Sequence, residues 1–274
     1  MSVRSGRYLE SKMHLALDHL TVADAYPWEI AALAGKSGLQ GSCLFLESMS
    51  VLPQMPTYSL IDDKEAMNRT RQALLGNAVS LDLVYPFTVT SRSRTLDFLP
   101  ALKVAAALNA RAINLLVYDR DTDRALCSVN ELAIAAGELG MDALIEFYPA
   151  SAIKSLDQAH ALADAVSLPN LGINVDILHL YRSDGNVENL KQYRQHIRFA
   201  QLADGPLLAP DDTTFEAAQS RLDLGAGQFN LSAFLKALPA VPVSFEVPNA
   251  SVLSSANSRI QAFKSHVTKA CSRF

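Results

Sequence analysis

Met141-Asp-Ala-Leu-Ile-Glu-Phe-Tyr-Pro149 is a short apolar run that ends on a carboxylate, Glu146. The chain uses this pattern again. Leu171 to Val175 ends on Asp176, Phe199-Ala-Gln-Leu-Ala-Asp204 carries Gln201 and Asp204, and Val243-Ser-Phe-Glu246 ends on Glu246. An apolar strand that stops at a polar oxygen, repeated along one chain, predicts oxygen donors converging at one end of a parallel barrel.

Outward from that stretch, short β-rich runs alternate with longer helical patterns. Strands are expected at 14–20, 41–47, 80–84, 112–118, 143–148, 171–175, 197–202 and 241–247. Helices are expected between them at 27–38, 62–77, 95–108, 128–139, 155–166, 187–195 and 231–238, and after the last strand at 254–270. Asp62 is the expected N-cap of the second helix. Pro86 is expected to stop the third strand, and Gly140 to close the fourth helix. Asp119–Arg124, Leu178–Gly185 and the stretch 203–228 read as loops. Runs such as Ile113-Asn-Leu-Leu-Val are what strands buried on both faces look like. Eight βα units in a chain of 274 residues predict a single-domain α/β fold, a (β/α)8 TIM barrel over 1–274, ahead of an open doubly wound sheet. Gly225-Ala-Gly227 precedes a helix, but no GxGxxG follows a first strand, so a nucleotide fingerprint is lacking.

Hydrophobic residues make up 49% and charged residues 19% of the chain, enough to build a large core and too apolar for disorder. With a net charge of −4 there is no basic excess to neutralise phosphates, so no nucleic-acid partner is expected. The three cysteines, Cys43, Cys127 and Cys271, form no CxxC pair, which disfavours a disulfide framework or a thiolate zinc site and fits a reducing cytoplasm. Charges break the apolar runs short of the ~20 residues a membrane span needs. Met1–Tyr8 lacks the apolar core of a signal peptide. The expected location is cytoplasmic and the expected partner a small-molecule substrate. Ala- and Leu-rich helix faces leave a homo-oligomer open.

Active sites of such barrels form at the C-terminal strand ends. Glu146, Asp176, Gln201 and Glu246 supply three carboxylates and an amide oxygen, donors that suit Mg²⁺ or Mn²⁺. A lone acid after a strand ordinarily caps a helix; four on consecutive strands make that coincidence harder to hold. His179, three residues after Asp176, is a candidate general acid or base. Arg221 is either a solvated charge or an anion anchor. Trp28 and Phe147 are candidate apolar walls, although aromatics beside a barrel ordinarily serve the core. Asp18-His19 ends the first strand and is equally compatible with a structural role, as is His14. His160 and His196 fall on helix faces or ends and are discounted.

Ile145-Glu-Phe147, Asn174-Val-Asp-Ile-Leu-His179, Ala200-Gln-Leu-Ala-Asp204, Arg221-Leu-Asp-Leu-Gly-Ala-Gly-Gln228 and Ser244-Phe-Glu246 resemble, in order, segments of the xylose isomerase-like barrels, the sugar phosphate isomerase/epimerase superfamily that also includes AP endonuclease family 2. The resemblance covers essentially the whole chain. It implies that Glu146, Asp176, Gln201 and Glu246 hold a divalent metal, Mn or Mg, with Zn or Co also compatible. The expected chemistry is proton abstraction by Glu146 or Glu246 through a metal-stabilised enediolate, with His179 as acid where a β-hydroxyl leaves instead, and Arg221, Asp204 and Phe147 at the substrate. Many sugar epimerases carry His where this chain has Gln201, which looks more like the 3-dehydroshikimate dehydratase branch. The family's Pro-Gly-Glu-Gly loop is here Leu224-Gly-Ala-Gly227, without its acid. The expected function is a metal-dependent isomerase/epimerase of a small sugar or polyhydroxy carbonyl compound. A carbon–oxygen lyase of the dehydratase type is the alternative. An endonuclease-like hydrolase and a non-catalytic binding protein rank behind both.

Overall fold

The computed structural model describes residues 13–183, 185–249 and 252–272. The leader reading of Met1–Tyr8 lies outside them. The strands are β1 Leu15–Asp18, β2 Gly41–Phe45, β3 Ser80–Val89, β4 Ala112–Val117, β5 Asp142–Glu146, β6 Leu171–Asp176, β7 Ile197–Leu202 and β8 Val243–Phe245. They pair in parallel in sequence order, and β1 closes onto β8 to complete the barrel. The helices are α1 Pro27–Lys36, α2 Lys64–Gly76, α3 Thr95–Ala107, α4 Thr122–Glu138, α5 Leu156–Val166, α6 Ile177–Arg182, α7 Thr213–Gln219, α8 Leu231–Ala237 and α9 Ala256–Cys271.

Because successive strand residues point to opposite sides, the barrel divides the apolar side chains into two groups. Leu17, Ile113, Ile145, Ile173, Val175, Ala200 and Phe245 face outward and pack with the helices. Ala16, Cys43, Leu83, Ala112, Leu144 and Phe199 fill the interior. The same alternation puts Asp18, Asn114, Glu146, Asn174, Asp176 and Gln201 in register with that interior set, so buried polar groups lie above an apolar plug. Cys43 is fully buried, as a small apolar residue would be.

Several boundaries differ from the sequence expectation. Asp63, not Asp62, caps α2, accepting from the backbone N–H of Glu65 and Ala66. β3 runs on past Pro86, because its register with β4 shifts between Val84 and Phe87 and leaves Tyr85 and Pro86 out of that ladder, while Tyr85 still pairs with Phe45 of β2. α4 begins at Thr122 within the charged run, since Asp121 caps Arg124 and Asp119 grips the Arg124 guanidinium at 2.5 and 2.6 Å. Leu178–Gly185 is not simply a loop. Ile177, Leu178 and Leu180 are buried, and Asp176 caps the short helix α6. The long stretch after β7 contains α7, capped by Asp212.

Candidate active site at the barrel mouth

A chain of side-chain hydrogen bonds crosses the barrel interior. Asn114 donates to Glu146. Asn174 donates to Asn114 at 3.0 Å and also to the Gln201 amide oxygen. Gln201 donates to the Tyr85 hydroxyl at 2.9 Å, and Tyr85 donates to Asp18 at 2.6 Å. Burial pushes the Asp18 carboxyl up to about 6, against the lowering effect of the Tyr85 hydroxyl.

Above this belt the predicted acids meet. One ligand atom each from Glu146, Asp176 and His179 lies within 4.8 Å of the others, a spacing one cation can bridge. His179 Nε2 is 3.5 Å from both Glu146 Oε1 and Asp176 Oδ2. Glu246, one residue past β8, joins the group through Arg221. Nη1 of this buried arginine donates to Asp176 Oδ2 at 2.7 Å, to Glu246 Oε2 at 3.2 Å and to the Glu246 carbonyl. Its Nε donates to the Ala217 carbonyl. Burial opposes the charge on Arg221, but the two carboxylates hold its guanidinium above its ordinary value. Burial alone would raise Asp176; Arg221 and His179 keep it below the usual range. Glu246 is pushed well above its ordinary value by burial and by the carboxylates of Asp18, Asp176 and Glu146, despite Arg221.

These residues line or support a cavity of about 630 Å³ at the C-terminal strand ends, floored by Asn114, Glu146, His179, Arg221 and Glu246. Arg221 therefore faces the cavity. With Nε and Nη1 engaged by the protein, it has no bidentate grip left for a substrate anion. Gln201 is fully buried in the belt, its amide oxygen taken by Asn174. In this arrangement it serves as a spacer between Asn174 and Tyr85.

Three predicted substrate contacts lie elsewhere. Asp204 accepts from the backbone N–H of Gly205, Gly225 and Phe229. It thus organises the loop around Gly227, where a Cβ would stand 2.3 Å from its Oδ1. Phe147 is fully buried in the outer core. Trp28 stacks on Tyr26 under the Arg69 guanidinium and is not among the residues that line the cavity. Of the discounted histidines, His160 and His196 meet Asp164 outside the barrel, close enough to share a cation. His14 pairs with Asp82 at 2.6 Å, at the start of β1. Asn114, Tyr85 and Asn174 were not singled out from the sequence, although Asn114 and Asn174 each interrupt an otherwise apolar strand.

His19 is structural. It is buried, its Nε2 meets the Ala25 carbonyl at 2.9 Å, and its Nδ1 accepts from the Phe45 N–H. Burial lowers it from 6.5 to about 4. As the pH falls, the unfolded chain takes up this proton first. The stability it confers above pH 6.5 is lost between 6.5 and about 4, on the order of 3 kcal/mol at ~1.36 kcal/mol per unit. Asp18 acts with the opposite sign: its folded value is raised, so acid relieves its burial cost. Urea unfolding of His19→Gln will therefore show a smaller loss of stability over that window than the wild type. An equal slope in the two proteins would refute the assignment.

The residues at the mouth suit a divalent cation. Asp18, Glu146, Asp176 and Glu246 act on one another electrostatically and face one permanently charged group, Arg221. The buried Asn174 Oδ1 has no hydrogen-bond partner. The mouth thus holds an excess of buried oxygen acceptors over positive charge.

The family described as xylose isomerase-like TIM barrel matches residues 63–266. No curated protein matches the chain. Among solved structures, an IolI protein with a bound zinc atom superposes with a TM-score of 0.78 at 18% identity, covering 96% of this chain and 99% of that one. The probable 3-DHS dehydratase AsbF from Bacillus anthracis gives 0.71 at 15% identity, with 93% and 99% covered. A D-allulose 3-epimerase from Methylomonas sp. gives 0.70 at 12%, with 94% and 96% covered. A xylose isomerase-like TIM barrel/4-hydroxyphenylpyruvate dioxygenase fusion protein gives 0.75 at 18%; 93% of this chain matches 42% of that one. No helix among the described residues is long and apolar enough to cross a membrane.

Proposed function

Since the chain belongs to the xylose isomerase-like TIM barrel family, we propose that it is a divalent-metal-dependent isomerase or epimerase that moves a proton next to the carbonyl of a small hydroxy-carbonyl compound. The observation that carries this reading is the meeting of Glu146, Asp176 and His179, with Glu146, His179 and Glu246 lining the cavity and Arg221 joining Asp176 to Glu246. A D-allulose 3-epimerase and a zinc-bound IolI protein among the structural neighbours agree with it.

Glu146, Asp176 and Glu246 would hold the cation, with His179 as a nitrogen donor at its edge; such a mixed set suits Mn²⁺, Zn²⁺ or Co²⁺ as well as Mg²⁺. When bound, the cation polarises the substrate carbonyl and acidifies the adjacent C–H. Glu146, oriented by Asn114, is placed to take that proton. Glu246, raised by burial, is placed to hold a proton for return from another side of the cavity. The Asn114–Asn174–Gln201–Tyr85 belt holds Glu146 through Asn114, and Arg221 holds Glu246.

Dehydration is the second reading. His179 stands 3.5 Å from Glu146, a proton donor beside the base that could serve a leaving hydroxyl. Gln201 in place of His, and a probable 3-DHS dehydratase among the neighbours, favour it. Incubation with Mn²⁺ and small ketones that carry hydroxyls both α and β to the carbonyl, in D₂O, separates the two. Deuterium at the carbon beside the carbonyl of recovered ketone supports the first reading, and a new conjugated-enone absorbance the second. Neither signal with any metal or ketone would remove both.

A further inference from the structure

The buried charged groups of the cavity, Glu146, Arg221 and Glu246, lie with Asn114 and His179 at its floor. Its walls are built by Phe45, Leu52, Phe87, Leu116 and Tyr148, and Phe215 stands half-exposed at the rim. The remaining polar lining groups are the Thr88, Tyr118 and Tyr148 hydroxyls, Gln219, the exposed Asp212 and Thr214, and the Tyr85 hydroxyl, which is already bonded to Gln201 and Asp18. A free sugar carries a hydroxyl on nearly every carbon. Here most hydroxyls far from the reacting end would lose water against phenyl, leucyl and alanyl surface, with only the scattered Thr88, Tyr118, Tyr148 and Gln219 groups to meet them. The volume of about 630 Å³ lies within the roughly 300–1,000 Å³ typical of ligand pockets, so the space is not limited to a three-carbon compound.

Resting on the proton-transfer reading above, we propose that the substrate is a hydroxy-carbonyl compound with its oxygens gathered at one end and an aryl or alicyclic hydrocarbon body. The oxygen-bearing end sits on Glu146, His179, Arg221 and Glu246. Arg221 offers it the one terminal nitrogen that makes no hydrogen bond within the described protein. The hydrocarbon body lies between Leu116, Phe87 and Tyr148, and Phe215 and Val51 cover it from the rim.

The test uses three ketols sharing one reacting end: hydroxyacetone, 1-hydroxy-4-phenylbutan-2-one and D-fructose. Deuterium uptake beside the carbonyl is followed by proton NMR in D₂O, with Mn²⁺ present and a no-enzyme control. The phenyl ketol is expected to exchange with kcat/KM at least ~100-fold above that of fructose, a ratio within reach of apolar-pocket and unpaired-hydroxyl discrimination. Leu116→Asn and Phe215→Asn are each expected to cut that ratio at least ~10-fold. Phe215 is 51% exposed, so its variant reports even where Leu116→Asn fails to fold. Fructose exchanging as fast as the phenyl ketol, while hydroxyacetone also exchanges, would overturn the substrate class and leave the proton-transfer reading standing. An unchanged ratio in the Phe215 variant would overturn the assigned rim. No exchange with any of the three, hydroxyacetone included, would remove the proton-transfer reading and this proposal with it.

Discussion

Arg221→Met will lower the unfolding free energy at pH 7.5 by about 3–5 kcal/mol, the cost of leaving buried charges without a partner. The guanidinium stands between Asp176 and Glu246, at 2.7 and 3.2 Å, with the three side chains at most 5% exposed. Methionine approximates the stem but supplies no donor, so two desolvated carboxylates would face each other and Asp18. Their cheapest response is to take up protons, so the deficit relative to wild type will shrink as pH is lowered toward the carboxylate range. A second outcome separates this account from simple packing loss. If these acids hold a cation, millimolar Mn²⁺ will return much of the lost stability to Arg221→Met, by preferential binding to the folded chain. Urea titrations with Mn²⁺ and with EDTA measure both effects. A loss below ~1 kcal/mol would place the pair in the range of exposed salt bridges and refute the burial argument.

Glu146→Gln will reduce deuterium exchange into any accepted ketol by ~10²–10⁴-fold, the range associated with a positioned general base. Glutamine keeps the shape and an oxygen that can accept from Asn114, but it cannot take a proton. The far-UV circular dichroism spectrum and urea midpoint are expected to stay near those of the wild type, because the side chain sits at the cavity floor and not among the packed strands and helices. A variant that folds normally and exchanges at the wild-type rate would remove Glu146 from the chemistry, and Glu246 would become the base to test.

The order of the elements could be read from the chain because each depends on local signals. Apolar runs of strand length, separated by helical periods and closed by Gly140 or a capping Asp, need no tertiary information to recognise. The errors arose where a local signal has two uses. Pro86 ordinarily ends a strand, yet β3 continues because a register shift in the barrel spares it from pairing. Asp119 to Arg124 looks like a solvated loop, yet its acids cap α4 and hold Arg124. Leu178 to Gly185 follows a strand end and reads as a loop, yet barrel packing buries Ile177, Leu178 and Leu180 on a helical turn.

At the site the same division holds. Glu146, Asp176, Gln201 and Glu246 were visible as polar residues closing apolar runs, because a strand that ends in the mouth of a barrel must change from buried to functional surface there. Their partners were not visible. Arg221 is 45 residues from Asp176 and 25 from Glu246, and no local pattern announces that a guanidinium will neutralise both. Asn114 and Asn174 were legible only as polar interruptions in apolar runs; their bond to each other crosses 60 residues. The sequence by itself determined that strands and helices alternate and that acids cap the strands, because those features follow from backbone periodicity and burial. Only the tertiary structure decided that Gln201 faces the polar belt, that Asp204 serves a loop, and that Arg221 stands among the acids, because hydrogen-bond partners are set by which strands the closed barrel makes neighbours.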